Sequence, residues 1–287
     1  SNYEQYDKKW LAVSKDCFKK IRTPSYGNVL LYTTGSGTQE KILFIPDLNM
    51  PILTYAPFFK CVENDFSVSS VDLMGQGRSD PVELNQYTLQ DFTELLLFTV
   101  EYLGWSAARF HVVCHGFGCA IGAQVCKAQE LNRCILSLSM FCPTLNSFQK
   151  FKPTQLQKRA CICQNEIANY DIADLYFQRL FKDFSEEQKA VFKTEFNNQI
   201  NLEFMERFKF FMEKFEFGLQ KSVDSLTQVK TKVVLVKSEM TDVEADQKFF
   251  YGRFEDVKVL DGVNYCVFQL QPSTVGDIIK DMAFNYE

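Results

Sequence analysis

Residues 107–124 read "ARFHVVCHGFGCAIGAQV": an apolar run of strand length, a break with glycines at 116 and 118, then small and apolar residues at helical spacing. A buried strand that turns sharply into a helix accounts for all three parts, because glycine enters left-handed backbone angles at little steric cost. At the apex of that turn stands Gly116, which has no side chain.

Working outward, short apolar runs alternate with helical patterns through the first half, which predicts an α/β architecture with a mostly parallel sheet flanked by helices. "NVLLYTT" (28–34) and "KILFIPD" (41–47) read as strands, and the "GSG" between them predicts that they pair as a hairpin. "FSVSSVDL" (66–73) is another strand, entered through a helix over "LTYAPFFKCVEN". Leu89, Phe92, Leu95, Leu96, Val100 and Leu103 recur at helical spacing behind Thr88 and Asp91, a capping pattern that predicts a helix over 88–103. "CILSLSMF" (134–141) follows the glycine turn as a buried strand. Strands resume late with "KVVLVKS" (232–238) and "VKVLDG" (257–262), and a helical pattern from Ser273 to Phe284 closes the chain.

Beyond Pro143 no strand-like run appears for about eighty residues, and the segment reads as helical. Ser185 and Gln188 form a capping-box pattern, and Phe204, Phe208, Phe211 and Phe215 line one helix face. Thirteen of the 28 phenylalanines fall between 148 and 217, so this segment has an oily face to cover. Packing onto the main body is the simplest use of that face.

A chain of 287 residues with 46% hydrophobic content buries a large core. A net charge of −5, with Lys and Arg scattered among Asp and Glu, leaves no footprint for a phosphate backbone, so nucleic acid is not an expected partner. No apolar run approaches a membrane span, and the opening "SNYEQYDKKW" lacks the apolar stretch of a signal peptide. The first residue is Ser1 rather than Met, which methionine removal, a cleaved leader or an engineered start would each produce. Ten cysteines include no CxxC pair, and Cys114, Cys119, Cys126 and Cys134 sit inside apolar elements. They read as reduced thiols in an intracellular compartment, cytoplasm or mitochondrial matrix. With two histidines in the chain, no metal site and no cofactor are expected.

The strand–turn–helix at 112–118, with a helical insert after the next strand, resembles the cap-bearing α/β-hydrolase family. A second motif carries the same resemblance: "DLMGQGRSD" (72–80) is similar to the family's Asp-x-x-Gly-x-Gly-x-Ser turn, whose glycines are architectural. The resemblance covers nearly the whole chain. It implies a hydrolase core over 1–143, a helical cap insertion over 144–230 and the rest of the core over 231–287.

Family chemistry needs a nucleophile at the elbow, an acid after a late strand and a histidine near the end. On the family's Gly-His-Ser-x-Gly the chain places Cys114, His115, Gly116, Phe117 and Gly118, so the nucleophile position is Gly116. Tyr265 takes the place of the histidine, and no histidine follows residue 115. Asp242 alone keeps the acid's residue type. The family's oxyanion His-Gly matches Pro46-Asp47, and a carboxylate there opposes stabilisation of developing negative charge. His111 and His115 read as satisfied core residues, and Cys119 as a thiol without a base.

No catalytic residue is therefore expected, and Gly116, Asp242 and Tyr265 mark a vestigial triad. The resemblance implies a catalytically inactive protein, not an enzyme, that serves as a structural or interaction subunit of other protein chains, docking through the Phe-rich insert and the loop after Pro143. Two alternatives are a receptor for a small apolar ligand, in a vestigial pocket lined by Leu48, Phe117, Tyr265 and cap phenylalanines, and a hydrolase with a non-standard nucleophile.

Overall fold

Strand β5 (Phe110–His115) is buried at every position, as a strand covered on both faces must be, and it lies in the middle of an eight-stranded sheet. The computed structural model describes residues 14–143, 180–189 and 218–284, except 36, 37, 49, 187, 225, 227, 228, 239, 240 and 242. The other strands are β1 (Phe18–Arg22), β2 (Asn28–Thr33), β3 (Glu40–Ile45), β4 (Phe66–Val71), β6 (Ile135–Phe141), β7 (Lys230–Val236) and β8 (Asp256–Leu260). Their spatial order is β1-β2-β4-β3-β5-β6-β7-β8. The β1–β2 and β2–β4 pairs are antiparallel and all later pairs parallel, so the sheet is mostly parallel as expected.

The hairpin expected between 28–34 and 41–47 does not form. β4 lies between the two strands, with Leu31 opposite Val71 on one side and Phe44 opposite Ser70 on the other. Residues leaving β2 stay bound to β4 instead of folding back: the Thr34 N–H donates to the Val68 carbonyl at 2.9 Å, and Ser67 Oγ donates to the Thr34 carbonyl at 2.8 Å. The hairpin is one step earlier, between β2 and β1, a strand the apolar pattern misses because it is an edge rich in Lys and Arg. Its turn is tied by Thr23, whose N–H and hydroxyl both reach the Gly27 carbonyl, at 2.8 and 2.9 Å.

Seven helices among the described residues carry labels: α1 (Ala56–Val62), α2 (Leu89–Tyr102), α3 (Gly118–Val125), α4 (Leu219–Val223), α5 (Val243–Tyr251), α6 (Val267–Leu270) and α7 (Pro272–Phe284). α2 starts where expected: Thr88 Oγ1 accepts the Asp91 N–H at 3.1 Å, while the Asp91 carboxylate binds the Thr88 hydroxyl rather than a backbone amide. Phe44 on β3 meets Tyr55, Phe58, Phe59 and Phe268 at centroid separations of 4.7 to 5.5 Å, so the core beside α1 and α6 is largely aromatic. None of these helices is long and apolar enough to cross a membrane.

Most of the expected cap, including Phe204, Phe208, Phe211 and Phe215, lies outside the described residues. In the part that is described, Ser185 and Gln188 make the reciprocal capping hydrogen bonds, at 2.9 and 3.2 Å. Leu180 is fully buried, and its carbonyl accepts the Cys266 thiol at 3.5 Å, which seats this piece on the loop ahead of α6.

The 72–80 turn is architectural, as expected. Asp72 is buried; its Oδ1 accepts the Ile52 N–H at 2.7 Å and its Oδ2 the Arg78 N–H at 3.0 Å. Gly77 has φ +55°, and a Cβ there would come closer than 3.0 Å to the Asp72 carboxylate. Ser79 Oγ donates to the Asp72 carbonyl at 2.7 Å and accepts the Leu30 N–H at 3.0 Å, tying the turn to β2.

Candidate functional site

The elbow forms where β5 ends. Gly116 takes φ +53°, a left-handed angle, and its N–H donates to the Phe141 carbonyl at 2.9 Å. α3 then runs back very close to the sheet: a Cβ at Gly118 would collide with the Ile45 and Pro46 carbonyl oxygens, and one at Gly122 with Cys114 Sγ. The scaffold of a nucleophile elbow is therefore complete. What stands on it is different.

In such an elbow, two backbone amides form the oxyanion hole: that of the residue after the nucleophile and one from the loop after β3. Here those amides belong to Phe117 and Leu48, and both point at one atom. Asp47 Oδ1 accepts the Phe117 N–H at 2.7 Å and the Leu48 N–H at 2.8 Å. The donors are intact and converge as oxyanion donors do, but a carboxylate of the chain itself occupies the position that a reacting oxygen would take. Where the sequence suggests a charge near these amides, the carboxylate is bonded directly to both.

Tyr265 completes the arrangement. Its hydroxyl donates to Asp47 Oδ2 at 2.8 Å, so the carboxylate accepts three hydrogen bonds. Asp47 is only 2% exposed. Burial pushes its carboxyl up to about 6, and the Phe117 N–H, the Tyr265 hydroxyl and the Leu48 N–H hold it from rising further. A Cβ on Gly116 would come closer than 3.0 Å to Tyr265 Oη and to Asp47 Cγ and Oδ1. The space where a nucleophile would stand is taken by these two side chains.

A closed ring of hydrogen bonds holds them. The Asp47 N–H donates to Tyr55 Oη at 3.0 Å, and Tyr55 Oη lies 2.9 Å from His115 Nδ1. His115 Nε2 lies 2.9 Å from the Tyr265 carbonyl. A carbonyl only accepts, so Nε2 carries the proton and Nδ1 accepts from Tyr55. His115 is fully buried, and burial lowers it to about 3, so its imidazole is neutral at pH 7. Tyr55 and His115 are thus a hydroxyl beside an imidazole, yet this imidazole is far too weak a base to take a proton near neutrality. Tyr55 has no local signal in the sequence: it is one aromatic among several in "LTYAPFFKCVEN" and reaches the site only through the fold.

Among the described residues, the other candidates, Cys119 and His111, are buried and bonded within the sheet and α3. Cys119 lies inside α3, its thiol on the Phe141 carbonyl at 3.5 Å, and burial pushes it well above the usual thiol range. His111 sits early in β5 with Nδ1 2.8 Å from Ser137 Oγ, and both residues are sealed in the sheet. Leu48 and Phe117 are buried, and their amides both donate to Asp47. Asp242 lies outside the described residues. Among the described residues no cluster of His, Cys, Asp and Glu could hold a metal ion.

No protein-family model and no curated protein matches the sequence. Solved structures do match the fold across nearly the whole chain. MGS-M2, an α/β hydrolase enzyme from a Medee basin deep-sea metagenome library, superposes with TM-score 0.71 at 16% identity, covering 94% of this chain and 98% of its own. The epoxide hydrolase VrEH1 from Vigna radiata gives 0.67 at 14% identity, over 95% of this chain and 100% of its own. A loop variant of the haloalkane dehalogenase DbeA from Bradyrhizobium elkanii gives 0.67 at 13% identity, over 93% and 96%. With its mostly parallel sheet, its strand–elbow–helix and the Asp72 turn in that order, the chain has the α/β-hydrolase fold.

Proposed function

We propose that this chain is a catalytically inactive protein of α/β-hydrolase fold that works as a structural or interaction subunit of other protein chains. One observation carries the reading: Asp47 Oδ1 accepts both oxyanion-hole amides, at 2.7 and 2.8 Å, so an ester or epoxide oxygen has no donors left to bind. Gly116 supplies no nucleophile, and Tyr265 donates to Asp47 rather than acting as a base. The structural neighbours named as hydrolases bring a hydrolytic reading to mind, but they share 13 to 16% identity with this chain and speak for its fold alone. A receptor for an apolar ligand is disfavoured by the two side chains that fill the space above Gly116. Contact with partners falls to the surface, and the Phe-rich insertion and the loop after Pro143 are the segments whose composition suits it.

The chain incubated with a fluorophosphonate probe and a panel of short esters is expected to show neither labelling nor turnover. Turnover that Asp242→Ala abolishes would overturn the reading of inactivity. Mild isolation from its source is expected to recover the protein in a complex; migration only as a free monomer would count decisively against the subunit role.

A further inference from the structure

Residues 116, 47 and 265 come from three separate segments, yet their atoms compete for one volume. A Cβ at 116 would lie closer than 3.0 Å to Tyr265 Oη and to Asp47 Cγ and Oδ1. Such an overlap is cheap only where the neighbour can swing aside, and neither can. Tyr265 is held at both ends, by its hydroxyl on Asp47 and by its carbonyl on His115 Nε2. Asp47 is held by its own N–H on Tyr55 and by three hydrogen bonds to its carboxylate. All four ring residues are buried, and a displaced group would have to move among buried side chains, which pack closely.

We infer that Gly116, Asp47 and Tyr265 form one interlocked unit, in which the Asp47–Tyr265 pair and any side chain at 116 exclude each other. The exclusion is steric: with the pair in place, a serine at 116 cannot be accommodated without breaking the ring. A nucleophile therefore cannot return by a single substitution. This rests on the reading of the site as closed to acyl chemistry, but it makes a claim about stability that can fail alone.

The test is a mutant cycle on the full chain, read by melting temperature. Gly116→Ala is made in the native chain and in a background carrying Asp47→Ala and Tyr265→Phe, which removes each of the three atoms named above. The left-handed φ of residue 116 is a burden in both backgrounds and cancels in the cycle, so the difference isolates the overlap. In the native chain the expected loss is about 10 °C or more, and in the paired background less than half of that. A chain that folds with alanine at 116 only when the pair is absent supports the interlock equally. Should the double-substituted background itself fail to fold, Asp47→Ala alone serves, since it removes two of the three atoms and releases the Tyr265 hydroxyl from its partner. Equal losses in both backgrounds, or no folded protein with alanine at 116 in any of them, would overturn the interlock. Ester turnover is untouched by that result, so inactivity stands or falls separately.

Discussion

The 72–80 turn and the elbow at 116 lie in different parts of the sheet, yet they are built alike. Each has a glycine at a left-handed angle, φ +55° at Gly77 and +53° at Gly116. In each, a buried aspartate accepts two backbone amides: Asp72 those of Ile52 and Arg78, Asp47 those of Phe117 and Leu48. In each, a Cβ on the glycine would strike that carboxylate. The first is an architectural turn in any reading of the sequence. The second lies at the strand–helix elbow after β5, and it has the same construction. What differs is the cross-link: Asp47 is also tied through Tyr265, 218 residues away, whereas Ser79 ties the Asp72 turn to nearby β2.

If the elbow is now architecture, the two glycines respond alike. Gly77→Ala and Gly116→Ala are each expected to cost about 4 kcal/mol, from left-handed strain and overlap with a fixed carboxylate together. Urea denaturation measures both, and a tolerated Gly116→Ala beside a crippling Gly77→Ala would break the comparison.

The next effect is a pH dependence of stability. The folded-state value of Asp47 is raised to about 6, so between the ordinary carboxylate range and 6 the fold holds a proton that the unfolded chain has released. The stabilisation is complete below about pH 4 and is lost as pH rises through 6, a change of about 3 kcal/mol. Asp47→Asn keeps an oxygen for both amides and offers an N–H to Tyr265 Oη, so its curve should lack this fall. His115, lowered by burial to about 3, acts in the opposite direction as pH falls below its ordinary value, but it does so in both chains. Chemical denaturation of the pair at pH 4 and pH 7 gives the difference directly; parallel curves would remove the buried carboxylate from the account.

Tyr265→Phe withdraws one of the three donors and is expected to cost about 2 kcal/mol. It should also raise the Asp47 midpoint, because the Tyr265 hydroxyl is one of the groups that hold it down. NMR titration of the Phe117 and Leu48 amides follows that midpoint, and an unmoved midpoint would sever Tyr265 from the unit. The smallest effect belongs to the other turn. Ser79→Ala leaves the Leu30 N–H without its hydroxyl partner and should cost about 1 kcal/mol without moving the titration of Asp47.

Much of the fold is legible in local pattern. The β5–elbow–α3 unit, the Asp72 turn, α2 with its Thr88 cap, the late parallel strands and the closing helix all follow from periodicity and from glycines placed where backbone angles demand them. The failures are of pairing. Two apolar strands flanking a "GSG" satisfy the local rules for a hairpin, and nothing within them reports that β4 will bind between them. β1 is an edge strand with one buried position among five, so it lacks the apolar signature of its neighbours.

At the site, the residue types at 116, 47 and 265 could be read along the chain: no side chain at 116, a carboxylate at 47 and a phenol rather than an imidazole at 265. That much depends only on which atoms a residue possesses. Where those atoms go is a tertiary matter. The same Asp47 could have pointed to solvent, leaving the two amides open; it turns inward where the Leu48 N–H beside it and Phe117 and Tyr265 from distant segments converge on it and offset part of the cost of burying a charge. Composition and order specify which reactive atoms residues 116, 47 and 265 possess, while only the packing of the loop after β3 against the elbow and the Tyr265 loop determines that the space above Gly116 is filled.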